Sequence, residues 1–61
     1  VYAKALYHKA LGYSLQREYD IALENLQLAV RLDPNLRADA QGESAFNDLR
    51  NDDWFRELVG L

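Results

Sequence analysis

A chain of 61 residues with net charge −3 and no cysteine holds at most one small domain, with neither disulfides nor thiolate metal sites to stabilise it. Its single histidine cannot build a metal site alone, and no apolar run approaches the length of a membrane span. Residues 33–61 carry three Lys/Arg against seven Asp/Glu, so the basic stripe that a nucleic-acid backbone requires is missing.

The first predicted helix covers about residues 2–16. Projected at 100° per residue, Tyr2, Ala3, Leu6, Tyr7, Ala10, Leu11, Tyr13, Ser14 and Leu15 sweep one broad arc, with Lys9, Gly12 and Gln16 opposite. An arc that wide implies contacts on two sides. Gly12 inside a helix costs about 1 kcal/mol relative to Ala. A short turn around residues 17–19 follows, and Asp20 suits the positive end of the next helix dipole. Helices joined this tightly pack antiparallel.

The second helix is the clearest element. Ala22, Leu26, Ala29 and Val30 share a face, and the helix stops at Asp33-Pro34-Asn35, because proline lacks an amide donor and disfavours helix in the residue before it. Asn35 is a candidate cap for a third helix from Leu36, which loses its apolar period before Gly42 and should stay short. Phe46 and Leu49 then offer one turn that pins the segment to the rest. A last helix runs from Asp52 or Asp53 to about Val59, with Asp52 as its cap, Phe55, Leu58 and Val59 on one face, and Gly60 as the stop. Nothing reads as a strand. The expected fold is all-α: an antiparallel helix–turn–helix over residues 1–34 and a capping segment of short helices over residues 35–61.

The order of aromatic, Ala, large apolar, Ala and closing Pro in EYDIALENLQLAVRLDPN resembles the second helix of a tetratricopeptide repeat. Aligned without gaps, Ala22, Leu26, Ala29, Leu32 and Pro34 fall at signature positions, as do Ala10 and Tyr13, while Lys9 replaces a usual leucine and Leu6 a usual tryptophan. A second register uses Leu11-Gly12 as the family's Leu-Gly pair and needs a two-residue deletion before Tyr19; the ungapped one keeps Tyr13 inward. The tail DAQGESAFNDLRNDDWFRELVG is similar to the closing segment of bacterial tetratricopeptide arrays through Phe46, Leu49, Arg50, Asp52, Phe55 and Leu58. Asp53 and Trp54 depart from the residues common there. The chain opens on Val1, which together with the resemblance suggests the end of a longer array, soluble and cytoplasmic.

That resemblance implies a non-catalytic scaffold that binds a peptide or protein partner, without cofactor or metal. It places the first helix along a groove, giving Lys4, Tyr7, His8, Leu11, Ser14 and Leu15 as partner-binding candidates. Lys4 and His8, one turn apart, could hold a carboxylate; the plainer reading is a solvated polar edge. His8 has no Asp, Glu or Cys within four residues, and neither Ser14 nor Ser44 comes with a strained turn or oxyanion loop, so no catalytic residue is named. Asp52-Asp53 read as a helix cap and not a cation site.

One pattern stands apart. Ile21 and Leu28, seven apart on the second helix and extended by Leu32, make it apolar on a second side. We expect the returning tail, through Phe46, Leu49, Phe55 or Trp54, to fold over this stripe. The alternative is a structural role, in which Ile21, Leu28 and Trp54 form an interface for self-association or for a larger protein.

Overall fold

A computed structural model describes residues 2–61, and among them every regular element is helical. Helix α1 spans Tyr2–Leu15 and α2 spans Tyr19–Leu32. They pack side by side as an antiparallel hairpin, as the short turn requires. After Pro34 come α3, Leu36–Gln41, a 3-10 segment, Ser44–Leu49, and α4, Asp53–Val59.

The turn between α1 and α2 is set by Arg17, whose φ of 65° is left-handed. The Glu18 N–H reaches back to the Tyr13 carbonyl at 2.8 Å and the Arg17 N–H to the Ser14 carbonyl at 3.0 Å. This is the pairing that closes a helix with one left-handed residue, a place glycine usually fills. The end of α4 does use glycine: Gly60 sits at φ 82°, and the Leu61 N–H reaches the Arg56 carbonyl at 2.9 Å. Asp52 caps α4 as expected, its Oδ1 accepting from the Phe55 N–H at 3.0 Å.

Asn35 does not cap α3. Its backbone is already helical, at φ −63° and ψ −21°, and its side chain makes no capping bond. The polar work falls to Asp33, whose Oδ1 accepts the Asn35 N–H at 3.1 Å and whose carbonyl accepts the Leu36 N–H at 3.0 Å. That Asx turn reverses the chain at Pro34. Helix α3 then ends at Gly42, as short as its lost periodicity implied.

The small residues Ala10, Ala22 and Ala29 are fully buried, as is Leu26. A methyl side chain lets backbones approach closely, so the hairpin closes tightly along that line. The tail supplies the bulk. Phe46 and Phe55 are both fully buried with ring centroids 5.5 Å apart, and Tyr7 of α1 meets Phe46 edge-on at 6.1 Å. Each buried phenylalanine contributes about 2–3 kcal/mol of transfer free energy. One apolar cluster, from Ala3 to Val59, joins hairpin and tail, so the parts on either side of Pro34 share a core.

The broad arc read on α1 narrows in the structure. Ala3, Leu6, Tyr7, Ala10 and Ser14 are buried, and Leu11 and Tyr13 are half-buried. Tyr2 and Leu15, at 69% and 71% exposure, face solvent. Both lie near the ends of α1 and off the face that carries its buried residues.

Candidate interaction surface

The tail covers one side of the hairpin and leaves the other bare. On α2, Gln27 turns toward α4, where its Oε1 accepts the Trp54 indole N–H at 3.1 Å. The buried residues Ala22, Leu26 and Ala29 face inward, and Ile21, Leu28 and Leu32 fall on the flank away from α4. They remain 40%, 46% and 55% exposed. The expected cover over this stripe is therefore absent: Phe46, Leu49 and Phe55 sink into the core, and Trp54 lands on the opposite flank of α2. Trp54 does not join Ile21 and Leu28 in one surface.

Antiparallel packing places the matching flank of α1 beside this ridge. At 100° per residue that flank carries Tyr2, Lys9, Tyr13 and Gln16. Lys9, Gly12, Tyr13 and Gln16 outline a shallow depression in it. Within the ridge Asn25 spends its amide on the Ile21 carbonyl, one turn back, at 2.9 Å. The bare face is thus apolar along α2 and mixed along α1.

The groove candidates lie on the other flank of α1, and the structure splits them. Tyr7 and Ser14 are buried against the tail, the Ser14 Oγ donating to the Ala45 carbonyl at 2.7 Å. Leu11 is half-buried against the core; Lys4, His8 and Leu15 are exposed. The His8 ring meets the Tyr7 ring edge-on at 6.2 Å. What stays accessible is an edge of two cationic or polar side chains and two leucines.

Tyr7 is the anomaly of this region. Its hydroxyl is buried and finds no hydrogen-bond partner among the described residues. Burial, with the carboxylates of Glu43 and Asp39 nearby, pushes its phenol up to about 12. At the far end of the seam the Tyr19 hydroxyl donates to Asp48 Oδ2 at 2.9 Å, and that hydrogen bond holds the Tyr19 phenol above its usual value.

Chemistry-bearing side chains do not converge. Among the described residues no group of three or more His, Asp or Glu is arranged to hold a metal ion, and no helix is long and apolar enough to cross a membrane. No protein-family model, no curated protein and no solved structure matches this chain. The geometry of its surfaces therefore carries the functional argument.

Reading the sequence located the Ile21/Leu28/Leu32 stripe but not its cover. The signal that would have helped is Gln27: a polar side chain beside Val30 marks the flank on which an aromatic with an N–H can land.

Proposed function

We propose that this chain is a non-catalytic protein–protein interaction module, the closing unit of a tetratricopeptide-like helical array, which docks the bare face of α1 and α2 against another helix pair. The observation that carries the reading is the one-sided cover of the hairpin. The tail buries one flank with Phe46, Phe55 and Trp54, and Ile21, Leu28 and Leu32 stay in solvent on the other. Large apolar side chains aligned along one flank of a helix offer a neighbouring helix a row to pack against. In stacked helical repeats each unit buries its face on its neighbour, and only the terminal unit carries a polar outer side. The acidic tail supplies such an outer side. Fully buried alanines at positions 10, 22 and 29 support the ungapped alignment, because they put the small residues at the helix–helix contact and leave Gly12 on the surface.

The same face serves a neighbouring helix pair or a second copy of the chain, and sedimentation equilibrium over a wide concentration range tests it directly. Association is expected, and Ile21→Glu with Leu28→Glu should abolish it while circular dichroism keeps the helical signal. Association that survives the double substitution, or none at any concentration, removes the ridge as an interface between copies of the chain. The second reading would then move forward: partner binding along Lys4, His8, Leu11 and Leu15, for which the observation is that these four remain accessible on one edge.

A further inference from the structure

A second surface lies on the flank of α2 that the tail covers. There α2, α3 and α4 leave an open cleft of about 390 Å³. Buried Val30 forms part of its lining, half-buried Trp54 and Leu58 wall it, and the side chains of Arg31 and Arg37 stand at its rim with Glu57. The indole N–H of Trp54 is already used by Gln27. What Trp54 has left to offer the cleft is its ring surface, which suits an apolar group.

Four of the five arginines of this chain, those beyond the α1–α2 turn, divide into two kinds. Arg50 donates to the Gln41 carbonyl and to Asn47, and Arg56 donates to the Arg50 carbonyl. These fasten the tail to itself. Arg31 and Arg37 make no side-chain hydrogen bond among those of the described residues, although they sit in a protein of net charge −3 with acidic groups to spare. Two guanidinium groups against the single carboxylate of Glu57 give the lining of this open cleft, polar at its rim and apolar at Val30, Trp54 and Leu58, a net positive charge in a net negative protein. Guanidinium forks pair with carboxylates through short, charge-assisted bonds, and an apolar neighbour that excludes water strengthens them.

We propose that this cleft binds an acidic segment of a partner protein, one carboxylate side chain entering between Arg31 and Arg37 and an apolar side chain about one helical turn away lying against Trp54 and Leu58. Glu57 on the rim sets the limit of the charge: a run of carboxylates or a phosphate backbone meets it unfavourably, and an isolated acidic residue beside an apolar one does not. The occupant is therefore an amphipathic acidic peptide. The cleft is on the opposite flank of α2 from the ridge of Ile21 and Leu28, so its test and that of the docking face succeed or fail separately.

Trp54 is the only tryptophan in the chain, and its fluorescence reports on the cleft without a label. The probe is a short acetylated and amidated helical peptide carrying one glutamate and, a turn later, one leucine, titrated into the intact chain at low ionic strength. A saturating change in Trp54 emission is expected, and changing the peptide's glutamate to glutamine should weaken binding about tenfold. Arg31→Glu with Arg37→Glu should weaken it at least as much, and should shift preference to the peptide with lysine in place of glutamate. Both arginines are exposed, so the variant should keep its circular dichroism spectrum. Arg31 also lies in the last turn of α2, where a cation favours the helix dipole; a purely structural role there would move stability but not peptide preference. Equal binding of the glutamate and glutamine peptides, equal binding by the charge-reversed variant, or tighter binding of single-stranded DNA than of the peptide would overturn the proposal. So would the absence of any saturating change.

Discussion

The Trp54 indole N–H donates to Gln27 Oε1 at 3.1 Å, and this bond ties α4 to one flank of α2. The next residue along the helix, Leu28, is turned by 100° and points to solvent. One side-chain pair thus marks which side of the hairpin is closed and which is bare.

Removing Gln27 should loosen that closure without unfolding the chain. Trp54 is half-buried, so its N–H can turn to water once the amide is gone, and Gln27→Ala should cost about 0.5–1 kcal/mol. Chemical denaturation would give the loss, and a red shift of native-state Trp54 emission would show that the indole had moved outward. A blue shift or unchanged emission would mean that packing, not this bond, holds α4.

Gly12 lies inside α1, and a methyl group added there meets no atom within 4 Å. Nothing in the packing requires glycine. Gly12→Ala should therefore recover the helix propensity lost at that position, stabilising the chain by about 1 kcal/mol. Thermal unfolding followed at the helical signal would register a rise in midpoint. A fall would show that the shallow depression beside Tyr13 matters to the fold.

Tyr7 links burial to alkaline stability. In the unfolded chain its phenol ionises at its ordinary value of 10.0, and in the folded protein at about 12. The unfolded state then sheds a proton that the folded state keeps. The contribution is fully present below the ordinary value and is lost as pH rises through the interval up to the folded value. Most of that contribution is gone by the top of the interval. Tyr7→Phe removes both that slope and the cost of burying an unpaired hydroxyl, so it should stabilise the chain by about 1 kcal/mol at neutral pH. Denaturant midpoints measured from neutral to strongly alkaline pH would show a flatter profile for the variant; parallel profiles would mean that Tyr7 reaches water.

Much of this fold was legible because its signals are local. Pro34 stops α2, Gly60 stops α4, Asp52 caps α4 through the Phe55 N–H, and the loss of apolar period before Gly42 keeps α3 short. Asn35 misled because a side chain that can cap does so only from a non-helical backbone, and here Asp33 captured the turn first. The path of the tail was harder. Helical periodicity gives α2 two apolar flanks, and either could have received it. The choice was settled by which flank also offered Gln27 to Trp54 and by Ser14 reaching the Ala45 carbonyl. Pairings between residues so far apart in sequence leave no periodic trace. For the same reason the groove candidates divided: spacing put Tyr7 and Ser14 on a face with Lys4 and His8, and only tertiary contact decides which of them the tail buries.

The left-handed residue between α1 and α2 was likewise invisible to periodicity, and it offers a second gain in stability. At φ 65° Arg17 carries a side chain in a conformation that glycine adopts freely, and at the end of α4 Gly60 fills the equivalent role at φ 82°. The Arg17 side chain makes no hydrogen bond among those of the described residues, so nothing visible compensates for the strain. Arg17→Gly relieves the clash between Cβ and the backbone but gives the unfolded chain more freedom, and the two effects partly offset. A left-handed conformation costs an ordinary residue about 1–2 kcal/mol, so the net change should be a stabilisation of about 0.5–1 kcal/mol. Arg17→Ala is the control: it removes the guanidinium but keeps the Cβ, and should leave stability within about 0.5 kcal/mol of the parent. If alanine stabilises as much as glycine does, the gain comes from lost charge and not from the backbone.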